Sequence, residues 1–192
     1  MNAAIAPRPV AWVSTVSAVG IPNLAPHSYT TIFGTDPAVV GFVSVGPRRK
    51  DSLTNCAATR EFVLNIAGVD LIEPLNLSAA DFPPDEDEFA WSKLTHVASD
   101  VVGAPRVGEA PVSFETRVVD IIPVANCHLI LGEVVRVHIA TDIWSDGRID
   151  PTLLNPVTRL AGSEYAHLGD IFRLERPTYQ GIIDAQQKGE PE

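Results

Sequence analysis

Cysteine is scarce: Cys56 and Cys127 are the only two in 192 residues. Two thiols cannot build a disulfide scaffold, and no CxxC or zinc-ligand spacing is present. One disulfide or two isolated thiols remain open readings, and isolated thiols in a reducing cytoplasm are the expected state. Positive charge is also scarce. Fourteen Lys and Arg stand against 24 Asp and Glu, a net charge of −10, which argues against a nucleic-acid partner and against anchoring on an anionic membrane. It leaves room for a small anionic ligand, because net charge averages over the surface and a site does not.

Catalytic motifs are missing as well. There is no GxGxxG, no GxxxxGK[ST], no HExxH and no GxSxG. His27, His96, His128, His138 and His167 are scattered without metal-ligand spacing, so no metal and no Ser–His–Asp machinery is expected. Charge is absent altogether between Arg8 and Asp36. That stretch is long enough to cross a membrane, but Gly20, Pro22, Asn23, Pro26, His27 and Ser28 interrupt it. It reads as buried strands joined by a polar turn, not as an apolar helix. Pro7 and Pro9 likewise break any signal-peptide core. A soluble, cytoplasmic protein is the expectation.

What is present reads mainly as β-structure. At 45% apolar and 20% charged, the chain has the composition of one soluble globular domain, with a core of useful size. Strand signals lie at Pro9–Val16, at Leu24–Phe33 with a bend, at Val39–Val45 as a doubly covered run, and at Phe62–Ala67. Period-two alternation marks Val112–Val118, Val135–Ile139 and Phe172–Glu175. A helix is expected from Asp51, taken as its N-cap, to Arg60, and a second short one within Val69–Ala80. Phe82 to Glu88 reads as a solvated acidic loop. Residues 181–192 read as a polar tail on a domain spanning 1–180. Many strands, few helices and 16 prolines favour an antiparallel barrel over a βαβ sheet.

Two clusters are candidates for a site. Arg48-Arg49-Lys50-Asp51-Ser52 gathers three of the 14 basic residues between a strand end and a helix start. A helix N-terminus with Lys, Arg and a Ser hydroxyl is a phosphate site, although a solvated basic turn would use the same residues. Asn23-Leu24-Ala25-Pro26-His27-Ser28-Tyr29 is a polar turn inside the uncharged stretch. Its backbone N–H groups suit a planar ligand rich in acceptors, or a simple bulged connection.

Taken in order, these clusters carry a resemblance. Pro7-Arg8-Pro9-Val10-Ala11-Trp12-Val13-Ser14-Thr15, Pro22 to Ser28, Asp36-Pro37, Lys50 to Asn55 and Glu61 to Asn65 resemble the flavin reductase-like family of FMN-binding split barrels. Glu88-Phe89, Leu94-Thr95, Ala104-Pro105-Arg106-Val107, Glu109 to Val112, Gly132 to Val135 and Arg159 to Tyr165 continue it, to about residue 177. The resemblance implies a mainly β fold, a split Greek-key barrel with a few short helices. It implies a homodimer with FMN at or near the interface. Asn23, Ala25, Pro26, His27 and Ser28 would line the flavin ring. Ser44, Val45 and Gly46 would pass the ribityl chain. Lys50 and Ser52, with Arg49, would hold the phosphate. His128, Arg159 and Tyr165 would approach the flavin, in part from the partner chain.

The implied activity is NAD(P)H-dependent flavin reduction, with hydride passing from nicotinamide to flavin N5 and no protein group as catalyst. A partner oxygenase would consume the reduced flavin. A flavoprotein with its own organic substrate, or an FMN electron carrier without NAD(P)H turnover, are the alternatives. The sequence departs from the family pattern at Glu115-Thr116, where a cysteine is common, and at Trp91-Ser92-Lys93, which replaces a Gly-containing turn. The latter bears on substrate specificity.

Overall fold

Runs of β-branched and aromatic residues build the seven antiparallel strands of the main sheet in the computed structural model, which describes residues 1–46 and 50–188. They are β1 (Ala11–Val16), β2 (Pro22–His27), β3 (Thr30–Thr35), β4 (Ala38–Ser44), β5 (Glu61–Ile66), β6 (Val112–Val124) and β7 (Cys127–Ile139). Their order in the sheet is β2-β1-β5-β6-β7-β4-β3. The two edge strands, β2 and β3, are therefore consecutive in the chain, with only Ser28 and Tyr29 between them. Val43 N–H in β4 donates to Tyr29 O at 2.8 Å, so the sheet curls until its first edge reaches its far side. The result is a split β-barrel.

Alternation decides which side chains fill it. Ala11, Val13, Phe42, Phe62, Leu64, Val118 and Ile130 point inward, and Leu53 and Cys56 of helix α1 (Asp51–Thr59) close the cluster. Phe42 and Phe62 meet edge to face, with centroids 5.2 Å apart. Gly132 makes this possible: a Cβ there would stand 2.5 Å from the Phe62 ring. The other face of β1 is covered too. Val10, Trp12 and Leu24 pack with Leu75 of α2 (Ile72–Leu77) and Phe89 of α3 (Glu88–Trp91). Trp12 Nε1 donates to Ser78 Oγ at 2.8 Å, so its one polar atom is satisfied. Burial on both faces explains why this part of the chain carries no charge.

The two cysteines are unpaired. Burial pushes the Cys56 thiol up to about 12, against a smaller opposing effect of Arg60. Cys127 sits half-buried where β6 turns into β7. A thiol-reactive probe should therefore label Cys127 in the native protein and Cys56 only on unfolding. Mass spectrometry after brief labelling reads this directly, and native labelling of Cys56 would contradict it.

Several expectations are corrected. Leu24 to Phe33 is two strands, broken at Ser28-Tyr29, not one bent strand. The alternating runs at 112–118 and 135–139 are parts of two 13-residue strands joined by a tight turn, with Ala125 at φ 51°. Val39 and Val40 are only half-buried, so β4 is not covered on both faces throughout. Asp51 is not the N-cap: Lys50 holds that position without a capping side-chain bond, and Asp51 begins the first turn. Phe172 to Glu175 forms no strand. Its alternation is real, but among the described residues no ladder partner lies beside it, and Phe172 and Leu174 are 84% and 89% exposed. The chain beyond residue 180 continues a helix, α5 (Tyr179–Lys188), so the polar tail begins inside a helix; residues 189–192 lie outside the described residues. A further short helix, α4 (Pro151–Leu154), starts on Asp150, whose carboxylate accepts from Thr152 N and Leu153 N. Among the described residues no helix is long and apolar enough to cross a membrane.

Candidate functional site

Where β2 meets the start of α1, the chain leaves a cavity of about 370 Å³, within the size range of small-molecule and cofactor sites. The polar turn supplies one wall through Asn23, Ala25, Pro26, His27, Ser28 and Tyr29. Lys50, Asp51 and Ser52 supply a second, and Ser78 to Phe82 a third. Arg8, Arg159, Gly162 and Tyr165 complete it from a small separate sheet that pairs Arg8–Pro9 with Thr158–Arg159 and then Tyr165–Ala166. Segments 150 residues apart in sequence thus share one cavity.

Of the fourteen residues expected at a site, ten line this cavity: Asn23, Ala25, Pro26, His27, Ser28, Val45, Lys50, Ser52, Arg159 and Tyr165. Ser44, 2% exposed at the end of β4, is not part of the lining. Gly46 follows at φ 104°, in the left-handed region that glycine enters without strain, and is not part of the lining. His128 stands opposite Ser44 on β7 and does not reach the cavity of its own chain. Arg48 and Arg49 lie outside the described residues.

The floor is a hydrogen-bonded chain of buried polar groups. Glu88 Oε1 accepts from Asn23 Nδ2 at 2.7 Å, and Glu88 Oε2 accepts from Leu24 N at 3.0 Å. Asn23 Oδ1 in turn accepts from Ser52 Oγ and Thr15 Oγ1, each at 3.2 Å. Ser52 Oγ is also 3.2 Å from His27 Nε2. Glu88 therefore fixes which way the Asn23 amide points, and Asn23 fixes Ser52. The side chains of both Asn23 and Ser52 are thus engaged in the floor of the cavity.

Glu88 is a residue that sequence reasoning missed. It closes an acidic run, which suggested a solvated loop, yet it is 5% exposed. Burial raises its pKa, opposed by its bonds to Leu24 and Asn23. Glu88→Gln would turn an amide N–H toward Asn23 Nδ2 or Leu24 N and leave a donor unpaired. The expected loss is about 1–3 kcal/mol of unfolding free energy, read from urea denaturation. An unchanged midpoint would contradict the role.

His27 shows the same desolvation. Burial, with a smaller contribution from Lys50, lowers it from the usual 6.5 to about 4, although its contact with Val43 O opposes the shift. It is neutral at physiological pH. A depressed value means the unfolded chain binds the proton first, so this contribution to stability is present above about 6.5 and lost as pH falls toward 4.

The first turn of α1 carries no side-chain cap, and its first residues line the cavity beside Lys50. Free N–H groups, the positive end of a nine-residue helix and an ammonium together make an anion-binding corner. This donor set fits a phosphate, and the uncharged β2 wall fits a planar ring. Trp91-Ser92-Lys93, expected to bear on substrate specificity, is not part of the lining.

The fold and the cavity place the molecule among the split-barrel flavoproteins. Residues 3–153 match the family described as "Flavin reductase like domain", and the chain belongs to that family. It is 36% identical to nitrilotriacetate monooxygenase component B from Bacillus cereus, with TM-score 0.86 and 90% of each chain covered. It is 26% identical to 2-nitrobenzoate 2-nitroreductase from Pseudomonas fluorescens, with TM-score 0.84, covering 93% of this chain and 89% of that one. The protein YwrF of Bacillus subtilis is 34% identical over 189 residues, 93% of this chain and 92% of its own length.

Proposed function

We propose that this chain is an FMN-binding, NAD(P)H-dependent flavin reductase. The observation that carries the reading is the single cavity that joins an uncharged polar-turn wall to an uncapped helix start with Lys50. FMN, when bound, supplies the redox chemistry by accepting hydride at N5 from a nicotinamide. The residues of the chain bind and orient. Asn23 to Ser28 line the ring, Ser44 to Gly46 flank the ribityl chain, and Lys50 with the N–H groups at Ser52 holds the phosphate. Arg49 would add to that charge, while His128, Arg159 and Tyr165 approach the ring edge or the second substrate. The same floor bonds that hold Asn23 and Leu24 keep the β2 wall in place, and the covered faces of β1 and β2 exclude water behind it.

A homodimer is part of the proposal. Ile171, Phe172, Leu174 and Tyr179 extend from the body on a C-terminal arm, each more than half exposed. An apolar arm of this kind is suited to packing on a second copy of the chain. Likeness to an oxygenase component supports a partner oxygenase that uses reduced flavin, and a cytoplasmic location is part of the proposal. Likeness to a nitroreductase supports the second reading, reduction of the protein's own organic substrate.

The test is oxidation of NADH and NADPH by the protein with added FMN. Turnover with either donor, with free FMN as acceptor, is the expected result. FMN binding without turnover by either donor would replace the reductase reading with that of a carrier. Turnover only when a nitroaromatic acceptor is added would favour the second reading.

A further inference from the structure

Two arginines face each other in the wall of the cavity, and among the described residues neither is ion-paired to an acid. Arg8 and Arg159 are directly opposed in the antiparallel pair Arg8↔Arg159, Pro9↔Thr158. Opposed residues leave a ladder on the same face, where like charges repel. Both line the cavity.

Arg8 is 9% exposed. Its guanidinium donates to Asn2 O at 2.6 Å, Ile5 O at 2.8 Å and Leu160 O at 2.5 Å, while its buried Nε has no partner. It lies 5.7 Å from the centre of the Tyr29 ring. Arg159 is held by the Gly162 carbonyl and lies 4.2 Å from the centre of the Tyr165 ring. Among the described residues neither forms an ion pair with a carboxylate. Glu88, which shares the cavity, has both oxygens engaged by Asn23 and Leu24.

Carbonyls and rings orient a guanidinium but do not cancel its charge. Asp51, Asp81 and Glu88 line the same cavity, yet among the described residues none of them comes within ion-pair distance of Arg8 or Arg159. Two unneutralised guanidiniums on one face of a partly buried ladder are a costly arrangement unless an anion completes it. Guanidiniums match the oxygens of carboxylate and phosphate groups in pairs, which a point charge such as Lys50 does not.

We propose that Arg8 and Arg159 form an oxyanion subsite for the second substrate, the molecule that exchanges electrons with the flavin, and not for the FMN phosphate. This rests on the reading of the cavity as a flavin site. The oxyanion is the diphosphate of a nicotinamide dinucleotide or the carboxylate of an aromatic acid, and the two sources separate in the test.

Arg159→Gln and Arg159→Lys are compared with the wild type, FMN-loaded, using NADH and the uncharged donor 1-benzyl-1,4-dihydronicotinamide. If the diphosphate is the ligand, Arg159→Gln raises KM for NADH about tenfold or more, the size of one lost charge-assisted bond. KM for the uncharged donor and kcat stay within about twofold, and Arg159→Lys recovers part of the loss. If a carboxylate is the ligand, NADH is unaffected, and benzoate binding, followed by its perturbation of the flavin spectrum, weakens by the same factor. Either pattern supports the subsite. Equal losses with both donors and unchanged benzoate binding would overturn it. So would an FMN Kd, measured by flavin fluorescence, that rises as much as the KM. A protein that takes up no FMN would overturn the flavin reading instead. Calorimetric titration with inorganic diphosphate would still test the arginines: wild-type binding that Arg159→Gln loses and Lys50→Ala keeps supports them, and any other pattern contradicts them.

Discussion

Replacing Glu115 with alanine should lower the unfolding free energy by about 3 kcal/mol or more, the largest stability effect expected of any single polar residue here. Glu115 is fully buried in β6. Its carboxylate accepts from Asp100 N at 2.8 Å, Val101 N at 2.7 Å and Val102 N at 3.2 Å, and His138 Nε2 lies 2.6 Å from Oε1. One side chain thus satisfies three backbone donors of a distant loop and ties β7 to it. The Asp100 carboxylate in turn pairs with Arg136, at 3.4 Å. Asp100, Glu115 and His138 lie close enough to suggest a cation site, but every one of their near contacts is already explained by bonds within the chain.

The pH dependence follows from the same contacts. Burial pushes the Glu115 carboxyl up, but the three backbone N–H groups and His138 outweigh it and hold the pKa below the usual carboxylate value. A depressed folded value contributes stability above the unfolded pKa, which is lost as pH falls through the folded one. The wild type should therefore lose stability on acidification below about pH 4, beyond the loss already caused by His27. Glu115→Gln should remove the Glu115 part of that slope. Urea denaturation across pH 3 to 7 measures both, and a variant with the wild-type slope would contradict the assignment.

Lys50→Ala is expected to weaken FMN binding by about tenfold to a hundredfold while riboflavin binding changes less than about twofold. Lys50 precedes an uncapped helix start, and only FMN of the two ligands carries the phosphate that this corner would bind. Ser52→Ala should matter less to affinity, because the Ser52 hydroxyl is engaged with Asn23 and His27 in the floor. Paired fluorescence titrations with both flavins measure the difference. Equal losses for FMN and riboflavin after Lys50→Ala would refute its role.

Much of the barrel was legible because β-branched and aromatic runs mark strands whose faces are buried. Within the uncharged stretch from Pro9 to Thr35, β1 is the clearest case: it is covered on both sides, which excludes charge there, whereas β3 at the end of the stretch is mostly exposed. The long β6–β7 hairpin was legible only in pieces. Glu115, Asp120 and Pro123 interrupt its apolar pattern, and the partners that make Glu115 a core residue are backbone N–H groups of a separate loop. Glu88 was hidden for the same reason. A carboxylate in an acidic run looks solvated until the fold brings Asn23 and Leu24 to it.

Other features of the site depended on contacts across the whole chain. Arg8 was visible as part of a motif, but not as a cavity wall, because its place depends on pairing with Arg159. Phe172 to Leu174 misled in the opposite direction. Alternation specifies a strand only where a neighbouring strand can take the backbone bonds.

The central claim is that the cavity between β2 and α1 is an FMN site. Its most direct test is the absorbance spectrum of the protein after incubation with excess FMN and removal of the free ligand. A retained, perturbed flavin spectrum, at one FMN per chain and lost in Lys50→Ala, is the predicted result. A colourless protein after the same treatment would contradict the account.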